Sequence, residues 1–284
     1  MTSLTFIPNG SAPIAKITSS TSEKYVYLSD IEANEAENIL DEIPDDSMIQ
    51  LVCQSLKEGL TLRQLIDELT SAPVEGVRSI EIKSGEHIYI VPAPESERVL
   101  IGGESGCGKS TLAALYAMIW KQQHPNRTVH LFARQEDDPA FEHILHEEIV
   151  VNENILDYRL DLDDFEDSLV IFDDMDNLQD KKVLKYVHSL VNDLMTNGRK
   201  KNIWVVYLTH ILLNGNQTKI VLNESNKVVF FNGGGKRQNI NFLKTYAGMQ
   251  TPEINLLTTL ESRWVCLSRK IPRYVIHEKG IFLI

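Results

Sequence analysis

Gly103, Gly108, Lys109 and Ser110 stand at the spacing G-x-x-x-x-G-K-[ST] within the stretch RVLIGGESGCGKST, and that spacing suits a polyphosphate. Glycines at 103, 106 and 108 let successive backbone N–H groups curl inward around an anion. The helix predicted to begin near Ser110 adds its positive end to the same spot. Gly103, Glu104, Ser105, Gly106, Cys107, Gly108, Lys109, Ser110 and Thr111 therefore read as one nucleotide-binding loop, left by the short apolar strand Val99-Leu100-Ile101. In such a loop the Lys109 ammonium reaches the β- and γ-phosphate oxygens of ATP. The Ser110 hydroxyl ligates the Mg²⁺ that bridges them.

A second apolar run, Leu169-Val170-Ile171-Phe172, ends in the carboxylates Asp173 and Asp174 about 60 residues further on, the arrangement called Walker B. Ligands of α/β sheets bind at the carboxyl ends of strands. Asp173 there holds the metal through water, and Asp174 orients or deprotonates an attacking water. The competing reading is an acidic loop capping the next helix. Asp176 reads as an acid at a helix N-terminus. A later strand ends WVVYLTH, which brings Thr209 and His210 to the same edge; either could sense a γ-phosphate or position water, and His210 could equally be a surface histidine.

Two basic elements complete the set. Asn197-Gly198-Arg199-Lys200-Lys201 precedes the strand ending at Thr209, so Arg199 falls at the far end of the sheet from its own nucleotide. It reads either as an arginine finger in trans or as a solvated helix terminus whose charge suits the dipole. Gly233-Gly234-Gly235-Lys236-Arg237-Gln238 reads as a flexible basic loop, either a DNA-phosphate contact through Lys236 and Arg237 or an ordinary turn.

The elements that must carry these residues alternate from Arg98 onward. Strands are predicted at 99–102, 128–133, 169–173, 203–209, 227–231 and 264–268, with an amphipathic helix over 179–197 that ends at Asn197-Gly198. The pattern implies an α/β fold, a mostly parallel sheet with helices on both faces. A strand at 128–133 between the two motifs points away from simple kinases. Residues 1–22 read as a mobile N-terminal arm and 23–91 as a small α+β region: a strand at 24–28, helices over 31–40, 47–56 and 62–69 (the last opened by a Thr61/Gln64 capping box), and a hairpin of 79–83 with 87–91. The segment 91–97, VPAPESE, reads as the linker to a domain over 92–284.

With 284 residues the chain can bury a full core. No apolar run nears the roughly 18 residues of a membrane span, and the N-terminus lacks the features of a signal peptide, so an intracellular protein is expected. Cys53, Cys107 and Cys266 form no C-x-x-C pair, which argues against a disulfide framework or a zinc site. A formal net charge of −12 removes the easiest argument for a nucleic-acid partner while leaving local basic loops open to one.

Taken together, GESGCGKST, HLFARQEDDPAF, SLVIFDDMDNLQDKK, LMTNGRKKNIWVVYLTH, VLNESNKVVFF and the ending SRWVCLSRKIPRYVIHEKGIFLI resemble the genome-packaging ATPases of large DNA viruses, the poxvirus-type branch of the FtsK/HerA superfamily. The resemblance spans about residues 98–284. It implies a P-loop NTPase of ASCE/RecA-like type that assembles into a homo-oligomeric ring, a hexamer or pentamer. It further implies ATP and Mg²⁺ as ligands, and double-stranded DNA and a viral capsid as partners. Such a protein works at the virus assembly site of an infected cell or within the virion. By the family pattern Lys109, Ser110, Asp173 and Asp174 take the nucleotide and metal roles, and His210 takes a sensor position often filled by Gln. The wider superfamily usually carries Asp-Glu where this chain has Asp173-Asp174. Two other classes remain as alternatives: a P-loop kinase of a nucleoside or small molecule, and a nucleotide-dependent switch or scaffold.

Overall fold

The computed structural model describes residues 2–6, 8, 10–30, 78–135, 138–215 and 218–284. Its strands are β1 (Thr2–Thr5), β2 (Pro13–Thr18), β3 (Glu23–Asp30), β4 (Ser79–Glu81), β5 (His87–Ile90), β6 (Arg98–Gly102), β7 (Val129–Ala133), β8 (Glu147–Val150), β9 (Leu169–Phe172), β10 (Trp204–Thr209), β11 (Lys227–Phe231), β12 (Trp264–Ser268), β13 (Tyr274–His277) and β14 (Gly280–Leu283). The helices are α1 (Lys109–Gln123), α2 (Lys181–Asn197), α3 (Lys219–Glu224), α4 (Lys236–Thr245) and α5 (Thr251–Thr259).

Ten strands form one sheet in the order β4-β14-β13-β12-β11-β6-β10-β9-β7-β8. The six from β11 to β8 are parallel; β12, β13, β14 and β4 extend it antiparallel. This is the mostly parallel sheet expected from the alternation of elements. The strand following the loop in sequence, β7, lies beyond β9, whereas β10 stands between β6 and β9. Order along the chain is therefore not order across the sheet: α1 carries the chain past two strand positions, both filled later.

The two-residue period of the strands serves two cores. Val99 and Ile101 of β6 pack with Leu112, Tyr116 and Trp120 of α1. Leu100 faces the other way, toward Val183, Val187, Leu190 and Leu194 of α2. Helix α2 begins where the Asp180 carboxylate accepts the N–H groups of Lys182 and Val183 at 2.7 and 2.9 Å, satisfying two otherwise orphaned donors. It ends at Asn197-Gly198 as expected, but without a left-handed cap: Gly198 keeps right-handed geometry (φ −56°), and the chain runs on through a 3-10 turn, Gly198–Lys201, to a left-handed Asn202. A Cβ at 198 would lie 3.3 Å from Ile203, so packing rather than a turn favours glycine there.

The N-terminal readings need correction. Residues 2–5 and 13–18 are not a mobile arm but strands of a four-stranded antiparallel sheet, β1-β3-β2-β5. Leu4, Ile14, Ala15 and Ile17 are buried in the α1-side core, and the intervening Pro, Gly and Ser residues conceal the strand period. The strand expected at 24–28 is β3. The proposed hairpin is not one, because β4 pairs with β14 and β5 with β2; the turn at Ser84-Gly85 passes the chain from one sheet to the other. The helices expected over 31–40, 47–56 and 62–69 lie outside the described residues.

Residues 91–97 are held down rather than free. Val91, Ser96 and Glu97 are buried. The Glu97 carboxylate lies 3.0 Å from Lys227 Nζ and accepts the Tyr116 hydroxyl at 2.8 Å. Lys227 also donates to the Val91 carbonyl at 2.8 Å. Proline in this segment sets an extended path, and the buried ion pair fixes it.

Candidate active site

Every element that approaches the glycine-rich loop 103–111 does so at the carboxyl edge of the parallel strands. Gly106 and Gly108 adopt φ of 75° and 107°, a region costly to a side chain, and so bend the chain between β6 and α1. The Gly103 N–H donates to the Thr209 carbonyl at 3.1 Å, tying the loop to β10. Lys109 is buried; its Nζ donates to the Glu104 carbonyl at 3.0 Å and lies 3.4 Å from His210 Nδ1.

Ser110 and Asp173, 63 residues apart, meet directly: the hydroxyl donates to Asp173 Oδ2 at 2.9 Å. The Asp173 N–H in turn donates to the Phe132 carbonyl at 2.9 Å, which extends the β9–β7 ladder by one residue and fixes the carboxylate. Burial pushes the Asp173 carboxyl up to about 6. The Ser110 hydrogen bond opposes that rise, the charges of Asp174 and Asp138 add to it, and Lys109 opposes it. A hydroxyl and a buried carboxylate side by side form a hard-oxygen pair suited to Mg²⁺, which takes its other ligands from phosphate and water. A cation there would restore the carboxylate's charge.

This shift has a consequence for stability. A carboxyl whose folded pKa exceeds its unfolded value of 3.8 costs stability as it ionises, so stability falls as pH rises from about 4 to about 6 and the deficit persists above that. Roughly two pK units correspond to about 3 kcal/mol. In protein stripped of nucleotide and divalent cation, Asp173→Asn is expected to raise the urea midpoint at pH 8 and leave it unchanged at pH 4. A variant no more stable than its parent at pH 8 would mean the carboxylate is already compensated.

Asp174 turns the other way. Its φ of 57° is left-handed, a conformation Asp tolerates better than most residues, and its side chain points toward β10, where Oδ1 lies 2.6 Å from His210 Nε2. If His210 Nδ1 accepts from Lys109, the ring proton sits on Nε2 and is donated to Asp174. His210 thus bridges the loop lysine and the second carboxylate and is not a surface histidine.

Asp176 is more than an acid at a helix start. Its carboxylate accepts the Thr209 hydroxyl, the Tyr207 hydroxyl at 3.1 Å and the His210 N–H at 3.1 Å. It braces the end of β10, and Thr209, fully buried, belongs to this brace. The available signal was strand periodicity, which puts Tyr207 and Thr209 on one face. Arg134, Gln135 and Asp138, not singled out in the sequence, line a cleft with Asp173 and Asp174 on the β7 side.

The two basic elements lie apart from one another. Arg199 is exposed in the 3-10 turn before β10, at the edge opposite the glycine-rich loop. Residues 233–235 are a short turn and not a long flexible loop: a left-handed Gly235 starts α4, and Gly234 abuts the Glu104 carboxylate so closely that a Cβ there would clash with it. Lys236 and Arg237 are exposed in the first turn of α4, on the carboxyl edge of the parallel strands.

No protein-family model matches the chain. It is 30% identical over 209 residues to uncharacterized protein V3 of Sputnik virophage, covering 72% of this chain and 84% of that protein. Among solved structures it is similar to B204, the DNA-packaging ATPase from Sulfolobus turreted icosahedral virus: 13% identity and a TM-score of 0.45, over 66% of this chain and 97% of that one. It is also similar to the cytoplasmic domain of the type VII secretion ATPase EccC from Thermomonospora curvata: 12% identity and a TM-score of 0.43, over 66% of this chain and 25% of that one.

Proposed function

The chain belongs to the family of protein V3 of Sputnik virophage, and from that membership, its motifs and its site geometry we propose that it is an ATP-hydrolysing motor that drives double-stranded viral DNA into a capsid. It would be a genome-packaging ATPase of the FtsK/HerA superfamily, working at the assembly site of an infected cell. The observation that carries the reading is the convergence of Lys109, Ser110, Asp173, Asp174 and His210 on one sheet edge, with β10 standing between the loop strand and the carboxylate strand.

The polyphosphate of ATP rests on the N–H groups of the loop, and Lys109 neutralises its terminal oxygens. Ser110 and Asp173 would hold Mg²⁺, whose chemistry when bound is to offset charge on the β- and γ-phosphates. Asp174, held by His210 and half-exposed, orients water for attack and accepts its proton. Thr209 and Asp176 hold the end of β10, and with it His210, beside Lys109. Arg199, at the opposite edge of the sheet from its own site, would serve a neighbouring subunit in a ring, and the exposed Lys236 and Arg237 would meet DNA phosphates.

Steady-state ATP hydrolysis with and without long double-stranded DNA tests this across a range of salt. Turnover is expected to rise with DNA and the stimulation to fade as salt increases, because phosphate contacts release counterions. Turnover by a monomer indifferent to DNA would favour the kinase or switch instead, and small-molecule acceptors would then be screened.

A further inference from the structure

Helix α1 carries more apolar surface than the strand beside it covers. Leu112, Tyr116 and Ile119 follow the i, i+4, i+7 spacing of one helical face and are buried, whereas Leu115 next to them is only half-buried. Ile88 and Ile90 of β5 share the core of Leu112 and Tyr116. Between α1 and β5 an open cavity of about 190 Å³ remains, bounded on its far side by Trp264 at the start of β12. It has room for a large apolar side chain.

The backbone along this cavity is a strand edge. Strand β5 is the last of the four-stranded sheet and pairs only with β2 among the described residues. On the β2 side the Val91 N–H donates to the Ile14 carbonyl at 3.3 Å. Antiparallel ladders alternate, so Tyr89 and His87 also direct their amide groups at β2, and Ile88 and Ile90 direct theirs outward. Residues 87–90 line the cavity without a break. At its mouth Arg263 Nε donates to Glu278 Oε1 at 2.6 Å while the arginine side chain is 81% exposed, which leaves its outer nitrogens facing solvent.

We infer that this groove is a docking site for an extended segment of a partner protein. The segment adds a strand to the free edge of β5, sinks one large apolar side chain between Leu115, Ile119 and Trp264, and sets an acidic residue against Arg263. An open strand edge is a template for an extended chain; main-chain hydrogen bonds supply the affinity and a pocket for alternate side chains supplies the selectivity. A nucleic acid fits poorly, since its phosphates would meet Glu278 at the mouth and its sugars an apolar floor. The docked segment lies along the helix whose first residues are Lys109 and Ser110, and the site stands whether or not the chain is a motor.

A phage-displayed library of random peptides of about eight residues, the span of a strand, selected on the full chain, tests this. Selected sequences are expected to alternate apolar and polar residues around one large apolar anchor with an acid beside it. Such a peptide, made synthetically, should bind about tenfold or more weakly to Leu115→Trp, whose indole fills the cavity, and to Arg263→Glu, which reverses the charge at the mouth. Circular dichroism of both variants should match the parent, and Arg263, at an exposed position, keeps the test open should the tryptophan disturb the fold. N-methylation of the peptide amides that face β5 should weaken binding roughly tenfold, and methylation of the intervening amides should not, because only the first set pairs with Ile88 and Ile90. Peptides that bind the parent and both variants alike, or a library that yields no binder, would overturn the site. Equal tolerance of methylation at both sets would overturn strand addition. Light scattering addresses the other occupant: a parent whose mass falls when the peptide is added, or in Leu115→Trp, fills its groove with a second copy, which would overturn the partner.

Discussion

Lys109→Ala is expected to lower the turnover of ATP by about a thousandfold or more, the scale on which loss of one preorganised charge-stabilising group is felt at a dry site. The ammonium is buried at the loop, anchored 3.0 Å from the Glu104 carbonyl. Its removal also deprives His210 Nδ1 of its donor. Asp174→Asn makes the informative comparison. An asparagine oxygen can still accept from His210 Nε2, so the edge keeps its shape, but the carboxylate that takes a proton from water is gone. Nucleotide binding should survive while turnover falls roughly 100- to 10,000-fold. Equilibrium binding of a fluorescent ATP analogue, measured beside single-turnover hydrolysis, separates the two. Unchanged hydrolysis by Lys109→Ala would discard the loop assignment, and equal loss of binding in Asp174→Asn would mean the two acids exchange roles.

The second large effect concerns folding. Glu97→Ala is expected to destabilise the chain by about 3–5 kcal/mol, because it leaves Lys227 buried without its counter-charge and Tyr116 without its acceptor. Both members of the pair are 3% exposed. Burial works against the Lys227 ammonium, yet the Glu97 charge prevails and holds its pKa above the usual lysine range. That contribution is therefore complete at neutral pH and fades only as the solution becomes alkaline enough to deprotonate the folded lysine. Replacing both residues by methionine should recover most of the loss, since an apolar pair of similar volume avoids the desolvation cost. Urea denaturation of the single and double variants decides it. A Glu97→Ala protein within 1 kcal/mol of its parent would show that Lys227 finds another partner.

Near the loop, sequence and structure agree closely, because the chemistry is local. Seven residues from Gly103 to Lys109 bend one turn, and their glycine spacing states that turn without reference to the rest of the chain. The strand ending at Asp173 was equally legible, since a fully buried run is apolar throughout. Strands β13 and β14 went unread, as did β1 and β2. Each is only four to six residues long, and β2 and β14 begin at proline and glycine, so neither period nor length marks them.

By itself the sequence determined the glycine-rich loop, the two carboxylates, the amphipathic helix α2 and the α/β character of the sheet, all set by spacing along short stretches of chain. Only the tertiary structure decided which of these groups act together. The placement of β10 between β6 and β9 brings His210, 101 residues from Lys109, into the gap between that lysine and Asp174, and makes Asp176 a brace rather than a cap. The buried pair of Glu97 with Lys227, 130 residues apart, likewise turns an apparent linker into part of the core. Such contacts depend on the order of strands across the sheet, and that order is settled by how ten strands share two hydrophobic faces, not by any one stretch of chain.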